Sequence, residues 1–211
     1  MSINKILKDV ENELLGRLGE DIKPLFESQV AAAETHLAAA QVIGLGDTAP
    51  DFSLMATSGD HISLLDVFSR GPVILTFYRG SWCSFCNAAL TTWQRALPEL
   101  EAKDATLLAI APETPNICSD YKQAAGLDYE LLSDLNNETA DVYGLAFELP
   151  AIAQEMLGSL STDVGDRNGN GTWAVPVTAT YAIGSDQRIL LADCGPDYRQ
   201  RADPKEVLAV L

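Results

Sequence analysis

The feature that most constrains the fold is a continuous apolar run followed by two cysteines. Residues 72–78 read PVILTFY and carry no charge. Such a run is expected in a strand that is covered on both faces. Cys83 and Cys86 follow it, and then apolar residues recur at helical spacing at Leu90, Trp93, Leu97 and Leu100. The sequence therefore predicts a buried strand, a loop with two thiols and a helix, in that order.

Strand and helix patterns alternate along most of the chain after residue 44. Apolar segments predict strands, and segments of helical periodicity lie between them. The predicted strands are 50–56, 61–67, 105–112, 129–134, 177–183 and 188–194, and the predicted helices are 117–125, 138–143 and 203–211. In the last helix Asp203 is the expected N-cap and Pro204 the first helical residue. This alternation predicts an α/β domain with a mainly parallel sheet.

The segment before residue 44 has a different pattern. Apolar residues from Ile3 to Leu18 recur at helical spacing, Pro24 is expected to break or kink the helical segment, and an alanine-rich helix is predicted over 25–42. We therefore divide the chain into an N-terminal helical arm, residues 1–43, and a domain, residues 44–211.

Residues 144–172 look irregular and are predicted to form a surface excursion, with part of a lid as the alternative. They end in the loop signal DRNGNG, residues 166–171. This motif resembles the start of a calcium loop, but Val177 stands where such a loop needs an acidic residue. It is therefore interpreted as a turn.

The excess of acidic residues limits the kinds of partner that this chain can bind. Asp and Glu number 30 against 14 Lys and Arg, which gives a net charge of −16. An acidic surface repels nucleic acid and anionic lipid, so neither partner is expected. The first residues lack the apolar stretch of a signal peptide, and no segment reaches the roughly 20 apolar residues of a membrane span. We expect a cytoplasmic protein, in a compartment that keeps cysteines reduced.

In a reducing compartment, C-x-x-C usually indicates metal binding or redox chemistry. A zinc site needs four ligands. Only Cys118, Cys194, His36 and His61 remain as further candidates, and they form no second close pair. We therefore expect no metal and no organic cofactor. Single cysteines such as Cys118 and Cys194 are typical of small core residues.

At a helix N-terminus, unpaired amides and the helix dipole stabilise a thiolate. Spacing of three residues brings the Cys83 and Cys86 sulphurs to one side of a turn, where they can close a disulfide. Arg79 would add positive charge. Trp82 either shields the sulphur or packs between strand and helix, and the sequence leaves both roles open. Two inert buried cysteines are the remaining alternative.

Four segments, in order, resemble the alkyl hydroperoxide reductase and thiol-specific antioxidant (AhpC/TSA) family of peroxiredoxin-like proteins. They are GDTAPDFSL (46–54), FYRGSWCSFC (77–86), LLSDLNNETADVYGL (131–145) and VTATYAIGSDQRIL (177–190). The resemblance implies a thioredoxin-like fold, with a central mixed sheet flanked by helices. The arm has no counterpart in the common domain.

The same resemblance assigns two conflicting roles to the cysteines. Laying the family's peroxide-attacking cysteine on Cys86 puts Arg79 where the family has proline and Cys83 where it has threonine. The family's partner arginine would fall at Thr178. The Trp-Cys-x-x-Cys of thioredoxin would instead make Cys83 the attacking thiol and Cys86 the resolving one, and thioredoxin's proline also falls at Thr178. The candidate site is therefore Arg79, Trp82, Cys83, Cys86 and Thr178, with the attacking thiol undecided.

The expected function is a thiol-dependent peroxidase that reduces hydroperoxides by cycling Cys83 and Cys86 between dithiol and disulfide. An outside reductant such as thioredoxin would regenerate it, and a homodimer is expected. One alternative is a thioredoxin-like protein disulfide reductase or redox relay; another is a non-catalytic interaction protein. A peroxidase requires a small pocket beside the sulphur with a donor such as Arg79, whereas a reductase requires a flatter rim around Trp82.

Overall fold

A computed structural model describes residues 2–211, so residue 1 of the predicted arm lies outside it. The strands are β1 (Ser53–Ala56), β2 (His61–Ser63), β3 (Val73–Phe77), β4 (Thr106–Ala111), β5 (Glu130–Ser133), β6 (Ala146–Glu148), β7 (Ala174–Pro176), β8 (Ala179–Ile183) and β9 (Ile189–Asp193). Seven of them form the central sheet in the order β2-β1-β5-β4-β3-β8-β9, and β6 pairs with β7.

The sheet is mixed, as the family resemblance implies. Only β3–β4 and β4–β5 are parallel; the other four pairings in this sheet are antiparallel. The prediction of a mainly parallel sheet is therefore wrong. The reason is that short turns join β1 to β2 and β8 to β9, and a short turn between neighbouring strands enforces antiparallel pairing. β3 is buried along its whole length, as its apolar sequence predicts.

The helices are α1 (Ile3–Leu18), α2 (Lys23–Ala39), α3 (Leu64–Phe68), α4 (Ser84–Glu101), α5 (Pro115–Ala125), α6 (Glu138–Val142), α7 (Ala151–Ser159), α8 (Val164–Asn168) and α9 (Pro204–Leu208). α3 replaces the second half of the strand predicted over 61–67. α9 begins with the predicted cap at Asp203. Within residues 2–211, no helix is long and apolar enough to cross a membrane.

The break in the arm differs from the prediction. α1 ends at Gly19, whose φ of 84° suits glycine, and a 3-10 turn over Glu20–Ile22 leads into α2. Pro24 lies in the first turn of α2, where its missing N–H costs no helical hydrogen bond. Pro24 therefore starts a helix instead of breaking one.

Residues 144–172 are not a surface excursion. They contain β6, α7 and α8, and Ala153, Leu157 and Val164 are buried in the core. α7 packs against α2 of the arm. The apolar residues of this segment are divided among short elements, so no single periodicity is long enough to predict them.

The helices place one core on each face of the sheet. In β3, Ile74 packs in the core that contains both cysteines, whereas Val73 and Leu75 pack in the other, as expected for a period of two. α1 packs against α4 on the cysteine face. The loop from β3 to α4 therefore leaves the centre of the sheet beneath the arm.

Candidate redox site

Cys83 is the N-cap of α4. Its sulphur accepts a hydrogen bond from the backbone N–H of Cys86 at 3.4 Å, so it meets one of the amides that the helix start leaves unpaired. Both thiols are buried, with 3 % of Cys83 and 0 % of Cys86 exposed, and neither is in a disulfide. The predicted placement of a dithiol at a helix N-terminus is confirmed.

Arg79 is a buried cation that faces Cys83. Its Nη2 donates to the Cys83 sulphur at 2.9 Å, and its Nη1 donates to Oε1 of Gln29 in α2. The guanidinium also lies over the ring of Tyr198, 3.6 Å from the centroid. Burial opposes the charge, but Cys83, Tyr198 and Cys86 together raise the pKa of Arg79 above its usual value, so it stays a cation. A charge-assisted hydrogen bond of this kind favours a thiolate over a thiol.

A second arginine faces the second sulphur. Arg201 lies between β9 and α9, and its Nη2 is 3.8 Å from the Cys86 sulphur. Its Nε donates to the carbonyl of Tyr198 at 3.0 Å, and only 7 % of the residue is exposed. Arg201 was missed by the sequence prediction, because nothing in the spacing of a residue so distant along the chain relates it to the cysteines.

The two thiols titrate as a pair. Burial raises the pKa of Cys83 well above its usual value, and its hydrogen bond with Cys86 acts in the same direction, against the charge of Arg79. Burial opposes ionisation of Cys86 as well. Its hydrogen bond with Cys83 and the charges of Arg201 and Arg79 nevertheless hold the pKa of Cys86 well below its usual value. Of the two thiols, Cys86 is therefore the one whose ionised form these surroundings favour.

A buried carboxylate holds the loop that precedes Cys83. Glu113 is fully buried, and it accepts hydrogen bonds from the backbone N–H of Ser81 at 2.7 Å and from Nε of Arg167 in α8 at 2.6 Å. Asn87 donates to the carbonyl of Ser81 at 2.8 Å. The backbone N–H and the carbonyl of Ser81 are therefore both hydrogen-bonded, which fixes the loop backbone that leads to Cys83.

Trp82 packs against the loop and lines the site. Its indole covers Gly80, where φ is 139° and a Cβ would come within 2.4 Å of the indole nitrogen. The ring also lies 5.2 Å from the Arg79 guanidinium. These contacts are with the loop and with Arg79, so whether Trp82 shields the sulphur or packs between strand and helix stays a prediction.

A pocket of about 330 Å³ opens above Cys83. Arg79, Trp82, Cys83 and Gln29 line its inner end, and Cys86 does not line it. Apolar residues of the arm and the α7 segment form part of its walls, namely Leu14, Leu18, Ile22, Leu25, Leu157 and Leu160, and polar residues such as Arg17 and Thr162 form another part. Its size is at the lower end of ligand pockets, which span about 300–1,000 Å³. The pocket therefore admits a small molecule to one sulphur of the pair.

The structure brings four of the five predicted site residues together: Arg79, Trp82, Cys83 and Cys86. Thr178 lies just before β8, where the register of Phe77 with Ala179 places it beside Tyr78. Thr178 is buried and has no hydrogen bond to Arg79, Cys83 or Cys86. Its role at the site stays a prediction.

The two remaining cysteines do not contact Cys83 or Cys86, although the Cys118 sulphur donates to the carbonyl of Glu113 at 3.6 Å. Cys118 is buried beside Tyr78, with 4.0 Å between the sulphur and the phenol oxygen, and burial raises its pKa to about 12. Burial likewise raises the pKa of Cys194 to about 11. At neutral pH neither is a thiolate, which fits the predicted role of small core residues.

Comparison with known proteins gives a family match. The model of the AhpC/TSA family matches residues 45–190. A putative peroxiredoxin of Mycobacterium tuberculosis is 29 % identical over 125 residues, which cover 59 % of this chain and 79 % of the relative. Alkyl hydroperoxide reductase E of Mycobacterium bovis is 28 % identical over 130 residues, or 61 % of this chain and 82 % of the relative.

A solved structure with a similar fold is that of peroxidoxin BcpB from Mycobacterium tuberculosis. The TM-score is 0.62 at 21 % identity, over 80 % of this chain and 96 % of the other. This similarity supports the thioredoxin-like fold that the sequence motifs imply. The matched family region begins at residue 45, so the arm that walls the pocket lies outside it.

Proposed function

The chain belongs to the AhpC/TSA family, and we propose that it reduces hydroperoxides through a dithiol–disulfide cycle of Cys83 and Cys86. Family membership, together with the relative named alkyl hydroperoxide reductase E, supports a thiol peroxidase over a disulfide reductase or an interaction protein. The observation that carries the proposal is the pocket that ends at the Cys83 sulphur, with Arg79 aimed at the same atom. A flat rim around Trp82 would have favoured the reductase.

Cys83 is the attacking thiol in this proposal, because it lines the pocket and Cys86 does not. In the resting pair the Cys86 thiolate accepts a hydrogen bond from the Cys83 thiol. As Cys83 attacks, its proton passes to Cys86, and Arg79 stabilises the charge that develops on the Cys83 sulphur. Cys86 therefore acts first as a base.

The Cys83 sulphur takes the terminal oxygen of the hydroperoxide, so the O–O bond breaks, and the alkoxide leaves as an alcohol with one proton taken from solvent. Cys83 becomes a sulfenic acid. Cys86 then attacks the Cys83 sulphur, and the hydroxyl group departs as water with the proton that Cys86 held. The products are one alcohol, one water and a Cys83–Cys86 disulfide, so two electrons have moved from the thiols to the peroxide. A dithiol reductant then reduces the Cys83–Cys86 disulfide by thiol–disulfide exchange. It attacks Cys83, the sulphur that lines the pocket.

Stopped-flow oxidation of the reduced protein tests the function. We expect hydrogen peroxide and cumene hydroperoxide both to oxidise it far faster than they oxidise free cysteine. Cumene hydroperoxide should react faster, because its apolar group enters a pocket whose walls are partly apolar. Oxidation of the protein by both peroxides at the rate of free cysteine would exclude the peroxidase.

The Leu160→Asp variant tests the pocket. Leu160 lines the outer wall and is 42 % exposed, so its replacement should not disturb the core. We expect the rate with cumene hydroperoxide to fall about tenfold, which corresponds to the apolar burial of part of one side chain. The rate with hydrogen peroxide should change less than twofold. Leu190→Asp is the control, since Leu190 is 36 % exposed and does not line this pocket. Equal loss with both peroxides would contradict apolar recognition.

We also propose a thioredoxin-type protein as the reductant, a homodimer and a cytoplasmic location. The burial of Cys83 supports a thioredoxin-type reductant, because a dithiol that protrudes from its protein is needed to reach this sulphur. The dimer and the location rest on the family resemblance and on the sequence.

A further inference from the structure

The inference concerns Arg201 and builds on the proposed redox pair. Arg201 is 7 % exposed and forms no ion pair with a carboxylate within residues 2–211. Arg79 is 3 % exposed and has no carboxylate partner in the same range. A buried charge is costly unless it is paired. The two sulphurs are the groups that these guanidiniums contact and that can supply negative charge.

We propose that Arg201 is a catalytic residue that holds the buried Cys86 sulphur as the thiolate of the reduced pair. Its Nη2 is 3.8 Å from that sulphur, and no part of Cys86 is exposed to water that could stabilise the charge instead. Arg201 thus takes up an electrostatic function at a sulphur, although the family's partner arginine would fall at Thr178, just before β8.

Two hydrogen bonds fix the position of Arg201. Its Nε donates to the Tyr198 carbonyl at 3.0 Å, and its backbone N–H donates to Oδ1 of Asn4 in α1 at 2.9 Å. A neighbouring ion pair, Arg199 with Glu11 of α1 at 3.1 Å, joins the same segment to the arm. The arm therefore holds the segment that supplies Arg201, which gives the arm a second contribution besides the wall of the pocket.

The titratable and charged groups that influence the Cys86 thiol are Cys83, Arg79, Arg201 and, from α5, the phenol of Tyr121. The pKa of Tyr121 is raised, mainly by burial, so at neutral pH it adds no charge. The two arginines and the hydrogen bond from Cys83 therefore set the charge on Cys86. Of the two arginines, Arg79 contacts Cys83, which leaves Arg201 as the cation that contacts Cys86.

This arrangement also affects the redox equilibrium. When a thiol and a thiolate lose two electrons and one proton to form a disulfide, the negative charge disappears. Arg79 and Arg201 then lose the negative charge that both of them contact, so both cations stabilise the reduced state over the disulfide. Removal of Arg201 should therefore make the disulfide harder to reduce.

The first experiment isolates Cys86 in the Cys83→Ser background. Thiolate absorbance at 240 nm is followed against pH in Cys83→Ser and in Cys83→Ser with Arg201→Met, with Cys83→Ser/Cys86→Ser subtracted to remove tyrosine and the other thiols. We expect the Arg201→Met change to raise the pKa of Cys86 by about one unit or more, since a hydrogen bond to a charged group is lost. Arg201→Lys should restore part of the shift. Equal pKa values with and without Arg201 would overturn the proposal.

The second experiment measures the equilibrium of the Cys83–Cys86 disulfide with reduced and oxidised glutathione. We expect Arg201→Met to shift it about tenfold or more toward the disulfide. Arg95→Met is the control, because it removes one positive charge from an exposed position on α4 that contacts no sulphur, and it should shift the equilibrium less than twofold. A twofold or smaller shift in Arg201→Met would contradict the proposal. Neither readout uses a peroxide, so a protein that fails the stopped-flow test could still support the role of Arg201.

Discussion

Cys83→Ser is expected to abolish peroxide reduction, whereas Cys86→Ser should keep one rapid turnover and then stop. Cys83 lines the pocket and Cys86 is fully buried behind it, so Cys86 alone has no access to the substrate. In Cys86→Ser, a hydrogen-bond partner and a nearby charge that both raise the pKa of Cys83 are lost, while Arg79 stays beside the sulphur. Cys83 can then ionise without passing a proton to Cys86.

The measurement is single-turnover oxidation by hydrogen peroxide, with sulfenic acid trapped by dimedone and located by mass spectrometry. Cys86→Ser should give the adduct on Cys83 in near-stoichiometric yield, and wild type should give little, because Cys86 closes the disulfide first. Cys194→Ser is the control, since it removes a thiol that does not line the pocket and should cycle like wild type. Fast oxidation of Cys83→Ser with an adduct on Cys86 would reverse the assignment and agree with the family alignment instead.

Local sequence patterns predicted the elements that carry the dithiol. The apolar run became β3, the spacing from Leu90 to Leu100 became one buried face of α4, and Cys83 became the N-cap between them. These features depend on neighbours in sequence: alternation along a strand, periodicity along a helix and unpaired amides at its start. Family motifs added the mixed sheet, which alternation alone predicted incorrectly.

The surroundings of the sulphurs could not be predicted in the same way. Gln29, Glu113, Arg167 and Arg201 reach the site from α2, from the segment after β4, from α8 and from the segment after β9. Each is a single polar residue without a motif, and only the packing of distant elements gives it a function. The segment 144–172 was misjudged for a related reason, because α7 and α8 are short and stabilised by contacts with the arm and the redox loop.

Arg79 was identified as a site residue from the sequence, and its contacts were found in the structure. Its position directly after the buried strand made it a candidate, and the structure adds its contacts with Cys83, Gln29 and Tyr198. In the family pattern this position is a proline, which can donate no hydrogen bond. In this chain the position holds a buried arginine instead. We therefore expect the reactivity of Cys83 to depend on a cation that the family pattern lacks.

Arg79→Met is therefore expected to slow oxidation of Cys83 by about 100-fold or more, the usual effect of removing one preorganised donor from a developing charge. Methionine fills much of the same buried volume but cannot donate to the sulphur. Because Arg79 lowers the pKa of Cys83, its loss should also move the pH profile of the reaction to higher pH. Arg79→Lys keeps the charge but cannot reach Cys83 and Gln29 together, so an intermediate rate is expected.

The rate and its pH profile are measured by stopped-flow with hydrogen peroxide, and thermal unfolding shows whether each variant is folded. Arg95→Met is the control, because Arg95 is exposed on α4 and its removal takes away one positive charge without touching the sulphurs. A general loss of positive charge would slow both variants alike, whereas a direct contact predicts loss in Arg79→Met alone. If Arg79→Met is folded and reacts at the wild-type rate with an unshifted pH profile, the 2.9 Å contact has no part in the reaction. Stabilisation of Cys83 would then come from the helix N-terminus alone.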